Sequence, residues 1–184
     1  GRIFEQLKAS GEWDNTIIIF SGDNGLSLGE HGLFGKQNLY EKGGMHVPLV
    51  IAGPGIKKGK TDALVYLMDL YPTIAEFAGA KIPDGVEGIS LMPIIHGEKQ
   101  KVRDVLYTCY RNCQRAVRDD RWKLIHYPLV DVTQFFDLKN DPRELNNLAG
   151  NREYKGIQEK MFLILEEEMK NQDRKSTRLN SSHT

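Results

Sequence analysis

The chain has 184 residues, in which 25 lysines and arginines balance 25 aspartates and glutamates, so its formal net charge is zero. No global basic field argues for a nucleic-acid partner, and 40% apolar with 27% charged residues is the composition of an ordinary globular protein. No apolar run approaches the roughly 20 residues that a membrane-spanning helix needs, so no membrane span is expected.

The chain opens on Gly1 with no initiator methionine, no basic segment and no apolar signal core. Ile3, Phe4 and Leu7 recur as on the buried stripe of a helix, and Gly11 supplies a left-handed cap. The reading frame is therefore expected to begin inside an element. Thr16 to Ser21 is a β-branched run bounded by Trp-Asp-Asn and Gly-Asp-Asn-Gly. It reads as a strand buried on both faces, of the kind found in parallel sheets. Val47 to Ala52, closed by Gly-Pro-Gly, reads as a second buried strand, with Pro48 tolerable near its start. The connection between them, residues 22–46, is long for a structureless loop in a compact domain, and such loops are usually functional.

Asp69 to Gly79 has the pattern of a compact helix with Pro72 in its first turn, and Leu91 to Ile95 that of one further turn. From Val105 onward short strand-like runs follow closely: VLYTCY, QRAVRD, WKLIHY and TQFFDL. Strands so near in sequence pair as antiparallel hairpins. Asn140-Asp-Pro142 ends them, and Tyr154 to Met169 is an amphipathic helix with Ile157, Met161, Ile164 and Leu165 on one face. The expected organisation is an α/β piece over residues 1–100 and a small antiparallel sheet with one helix over 101–172. Residues 173–184 are polar and aperiodic, and Asp173 to His183 resembles the translation of a short-read sequencing adapter. That tail is expected to be non-native.

Phe20 to Lys36, FSGDNGLSLGEHGLFGK, places a carboxylate, an amide, a histidine, a lysine and five glycines just after the first strand. In open α/β sheets, ligands bind beyond the carboxyl ends of strands. Asp23 and Asn24 offer hard oxygens, suited to calcium or magnesium better than to zinc. Calcium takes about six to eight oxygens, so further ligands must come from elsewhere. An isolated Asp-Asn-Gly is also an ordinary turn. Lys36 follows Gly35, so the backbone can pack closely while the ammonium meets an anion. A solvated loop lysine is the competing reading, as a structural hydrogen-bond partner is for His31. Two nucleotide and metal motifs fail on count. A phosphate loop ending Gly59-Lys60-Thr61 would need glycine where Pro54 stands, and Asp23 lacks the alternating ligands of an EF-hand.

The stretches SGDNGLSLGEHGLFGKQNLYEKGGMHVPLVIAGPG (21–55) and LMDLYPTIAEFAGAKIPDGVEGISLMPII (67–95) resemble consecutive segments of type I sulfatases. RAVRDDRWKLIHY and QFFDLKNDPRELNNLA are similar to the C-terminal subdomain of that family. The likeness runs from Gly1 to about Asn171. It implies part of an alkaline-phosphatase-like α/β sandwich followed by the antiparallel sheet and helix. It also implies bound Ca2+, with Mg2+ the lesser alternative, and hydrolysis of sulfate esters, including those of sulfated glycans, through a formylglycine nucleophile. Carried over residue by residue, Asp23 and Asn24 become metal ligands, Lys36 contacts the sulfate and the leaving oxygen, and His31 lies at the substrate pocket. His46 stands where many relatives carry arginine, and a structural role is expected for it. Family resemblance also implies an exported protein.

The formylglycine signature, C-x-P-S-R or C-x-A-x-R, does not occur in this sequence. Cys109 and Cys113 have neither the proline or alanine nor the arginine in register; they read as two unrelated thiols, with a disulfide across a tight turn as the geometrically open alternative. The nucleophile is thus expected in a preceding segment, and the chain alone is expected to be inactive. Alternative readings are a phosphonate monoester or phosphodiester hydrolase of the same superfamily, and a sulfatase-derived chain that binds without catalysis.

Overall fold

The structure, a computed structural model, describes the backbone of residues 1–181 and the side chains through Gln172. Residues 182–184, the end of the expected non-native tail, lie outside the described residues, as do the side chains of residues 173–181. The described chain forms two compact units, one made of Gly1–Asn24 with Val47–Arg103, the other of Gly25–His46 with the chain from Asp104 onward.

In the first unit, α1 (Arg2–Ala9) ends at Gly11 and α2 (Leu70–Phe77) at Gly79, both in the left-handed region. There glycine carries no Cβ penalty and its N–H can close the last turn. β1 (Ile18–Ser21) pairs with β4 (Leu49–Ala52) in antiparallel register, Ile19 opposite Ile51 and Phe20 opposite Val50. Two expectations are corrected here. β1 is neither in a parallel pair nor buried on both faces, since Phe20 is 62% and Val50 55% exposed. Among the described residues the sheet has only these two strands. Likewise α1 buries none of its residues; Phe4 instead packs edge-on against Trp13, with ring centroids 5.5 Å apart.

The junction of α2 with the short helix α3 (Met92–Ile95) is set by Asp69, which is fully buried. Its carboxylate accepts the backbone N–H groups of Tyr66 and Ile89 at 2.7 and 2.8 Å and both terminal nitrogens of Arg103. A buried carboxylate is tolerable only when saturated in this way.

The second unit is organised by a four-stranded antiparallel meander, β5 (Leu106–Tyr110), β6 (Gln114–Arg118), β7 (Trp122–Tyr127) and β8 (Val132–Asp137). Side chains alternate across a sheet, and here both faces are covered. Val117, Leu124 and Phe135 pack under Met161 and Leu165 of α4 (Lys155–Ser181). Ala116, Ile125 and Phe136, one residue on from or before each of these, pack instead under Leu39 and Tyr40. The sheet therefore lies between a helix and the segment that ends the long loop. α4 continues to Ser181, beyond the Met169 at which its apolar periodicity stops, because residues 170–181 contain neither glycine nor proline to end it. Among the described residues no helix is long and apolar enough to cross a membrane.

Candidate functional site

Asp23 and Asn24 leave the end of β1 in the first unit. The strand end is held by Ser21, whose Oγ donates to Pro48 O at 2.9 Å, and Gly22 lies against the Val47 side chain. Asp23 is exposed and Asn24 half-buried. A carboxylate and an amide oxygen side by side are chemically suited to a hard divalent cation. Among the described residues no cluster of three or more histidine, cysteine, aspartate or glutamate side chains could hold a metal by itself.

His31 and Lys36 belong to the second unit, on a small hairpin of β2 (Ser27–Leu28) and β3 (Phe34–Gly35). Glu30 caps it by accepting the Leu28 N–H at 2.7 Å, a bond that holds its carboxyl below the usual range. His31 occupies the left-handed region at φ 54 and ψ 22, which is uncommon for a residue with a Cβ and worth a functional explanation. Its ring lies flat on Tyr40, with centroids 3.7 Å apart and planes at 5°. Lys36 directly follows β3 and is exposed.

The hairpin is tied to the rest of its unit through one wide turn, Glu41–Met45, closed by Met45 N to Tyr40 O and His46 N to Glu41 O at 2.8 and 3.0 Å. Ser27 Oγ donates to Gly43 O at 3.0 Å, Asn38 Nδ2 donates to Ser27 Oγ at 3.0 Å, and the Gly25 N–H donates to Gly44 O at 2.7 Å. A Cβ on Gly25 would stand 2.7 Å from the Gly43 and Gly44 backbone. Only glycine permits that approach.

The turn is locked in place by a buried ionic cluster. Lys123, on β7 and 1% exposed, meets Glu41 Oε1 at 2.8 Å and Glu144 Oε1 at 2.9 Å. Arg118 on β6 takes Glu41 Oε2 at 2.6 Å, and the Glu41 N–H donates to Glu144 Oε2 at 2.6 Å. Burial pushes the Glu41 carboxyl up, but Lys123 and Arg118 outweigh it and hold the group below its ordinary range. For Glu144 burial outweighs Lys123, and the carboxyl sits above that range. Beside this cluster, the hydroxyls of Tyr40 and Tyr127 both donate to Gln134 Oε1 at 2.9 Å. Burial, with Tyr40 adjacent, raises Tyr127 far above an ordinary phenol.

Glu41, Arg118, Lys123, Glu144, Tyr40 and Gln134 are thus the supporting residues that motif reading missed. One signal was available: Lys123 stands in an apolar strand whose neighbours all face a core. The two cysteines are free, Cys109 on β5 and Cys113 in the following turn.

The sequence matches the family model described as N-sulphoglucosamine sulphohydrolase, C-terminal, over residues 29–172. It is similar to an N-acetylglucosamine-6-O-sulfatase of Bacteroides thetaiotaomicron, 36% identical across 92% of this chain and 33% of that protein. Among solved structures it superposes at a TM-score of 0.84 and 35% identity on one bound to its substrate D-glucosamine-2-N,6-O-disulfate, covering 92% of this chain and 37% of that one. A phosphonate monoester hydrolase from Silicibacter pomeroyi superposes at 0.79 with 25% identity, covering 95% and 38%. The chain spans about a third of the length of the curated relatives it matches.

Proposed function

The chain belongs to the sulfatase family and carries part of its alkaline-phosphatase-like α/β fold, and from that premise we propose that it supplies one portion of an exported enzyme hydrolysing sulfate esters of glycans. The observation that carries this reading is the likeness across 92% of the chain to an enzyme bound to a sulfated glucosamine. The Asp23, Asn24, His31 and Lys36 set lies within it.

In the proposed reaction Asp23 and Asn24 hold a calcium ion, with magnesium the lesser alternative, together with oxygens from chain outside this segment. The cation, when bound, supplies positive charge against the sulfuryl oxygens. Lys36 directs its ammonium at the sulfate and at the leaving oxygen, where negative charge grows as the S–O bond breaks. His31 sits at the substrate pocket, where an imidazole can donate to the ester or exchange a proton. A formylglycine in a preceding segment is the nucleophile, and without it the chain has nothing to attack with.

A second reading, hydrolysis of phosphonate monoesters, is favoured by the match to that class of enzyme. The experiment that separates the two uses the complete enzyme, this chain with the preceding part of its reading frame. Release of sulfate from 6-O-sulfated glucosamine is compared with hydrolysis of an aryl phosphonate monoester. Preferred turnover of the sulfate ester supports the proposal; preferred turnover of the phosphonate establishes the second reading; turnover of neither leaves a binding chain.

A further inference from the structure

His31 is constrained from two directions. Its backbone is in a conformation that glycine adopts without strain, so the position keeps a side chain at a cost. That side chain lies parallel to Tyr40 at a centroid distance of 3.7 Å. Two flat rings in such contact block rotation about the Cβ–Cγ bond, because an imidazole turned on edge would enter the phenol ring.

Tyr40 is itself fixed. Its N–H donates to Asn38 Oδ1 at 3.1 Å, its hydroxyl donates to Gln134 Oε1 at 2.9 Å, and its ring meets Phe136 edge-on at 6.1 Å between centroids. Gln134 is on β8, 94 residues farther along the chain, and its Oε1 also accepts from Tyr127. The two lone pairs of that oxygen are therefore both used. The next residue, Glu41, is clamped by the Lys123 and Glu144 cluster.

We propose that Tyr40 is the positioning residue of His31: its ring fixes the plane of the imidazole, and Gln134 fixes the ring of Tyr40. The proposal rests on the reading of His31 as a substrate-pocket residue. A phenylalanine would supply the same plate without the hydroxyl that Gln134 holds. Leucine would supply bulk without a plane.

The test uses the complete enzyme with its histidines labelled at 13Cε1, the His31 signal being assigned by its loss in His31→Asn. Tyr40→Leu removes the ring current and is expected to move the His31 1Hε1 resonance, whereas Tyr40→Phe and Tyr40→Trp keep it near the stacked position. In turnover of the sulfate ester, Tyr40→Leu is expected to lower kcat about 10- to 100-fold, the order of a misplaced group, with Tyr40→Phe recovering most of the loss. In the His31→Asn background Tyr40→Leu should cost nothing more, since residues acting as one unit are not additive. An equal loss in both backgrounds, or an unmoved His31 resonance in Tyr40→Leu, overturns the proposal. Should Tyr40→Leu fail to fold, the wild-type signal decides it, a His31 1Hε1 resonance displaced by ring current from that of a free histidine being the expected result and one at the free position the contrary. If His31→Asn leaves turnover unchanged while Tyr40→Leu still moves the resonance, the stack stands and the pocket reading of His31 falls.

Discussion

Glu144 Oε2 accepts the backbone N–H of Glu41 at 2.6 Å, although the two residues are 103 positions apart. Through this bond and the lysine they share, the C-terminal sheet fixes the turn from which the candidate histidine's support is built. The first prediction concerns that lysine. Lys123→Met removes the cation that Glu41 and Glu144 share and leaves Glu41 paired with Arg118 alone, and breaking a buried pair costs about 3–5 kcal/mol. By contrast Lys155→Ala, which removes a pair 3.7 Å apart between largely exposed side chains, should change stability by less than about 0.5 kcal/mol. Denaturant titration of both variants in the complete enzyme measures the difference.

The same cluster predicts a pH dependence with two opposed limbs. Glu144 is raised above its ordinary value of 4.5, so its contribution to stability is present below 4.5 and is lost as pH rises through its folded value. Glu41 is lowered from the same 4.5, so its contribution is present above 4.5 and is lost as pH falls through its folded value. Glu144→Gln should therefore flatten the weakly acidic limb, and Glu41→Gln the more acidic one. Unfolding free energies measured from neutral pH to strong acid check this, and an exchange of the two effects contradicts it.

Gly25→Ala would bring a Cβ to 2.7 Å from the Gly43 and Gly44 backbone. Backbone on the far side of the contact cannot swing away as a long side chain can, so a loss of about 1–3 kcal/mol is expected. The hydrogen bond from Gly25 to Gly44 opens with it. Gly59→Ala, where nothing lies within 4 Å of the added Cβ, is the control and should be near neutral. Thermal melts compare the two.

Much of the second unit was legible in the sequence. The four strands and the helix follow from short apolar runs separated by turn residues, and Met161 and Leu165 do face the sheet. The second layer was not legible, because Leu39 and Tyr40 lie in a loop with no periodicity, and only the doublets Ala116-Val117, Leu124-Ile125 and Phe135-Phe136 betray a sheet covered on both faces. The direction of β1 was misread because an apolar run records burial and not the sense of its neighbour; antiparallel pairing with β4 depends on how the long loop returns. In the candidate site, Asp23, His31 and Lys36 stand out locally through chemistry. Glu41, Lys123 and Glu144 act only through contacts across the chain, which no local pattern encodes.

The metal proposal has its own consequence. Calcium should raise the melting temperature of the complete enzyme, since a ligand that binds only the folded state stabilises it by mass action. Asp23→Ala, which removes a hard ligand from the proposed set, should abolish most of that rise, and magnesium should produce less of it. An undiminished calcium effect in Asp23→Ala places the cation elsewhere.

The most direct test of the sulfatase account is sulfate release from 6-O-sulfated glucosamine by the complete enzyme and its Lys36→Ala variant. Loss of an electrostatic contact made chiefly in the transition state should lower kcat about 100- to 1000-fold, with a far smaller change in KM. Sulfate release at the wild-type rate by Lys36→Ala, or none by the wild type, would contradict the account.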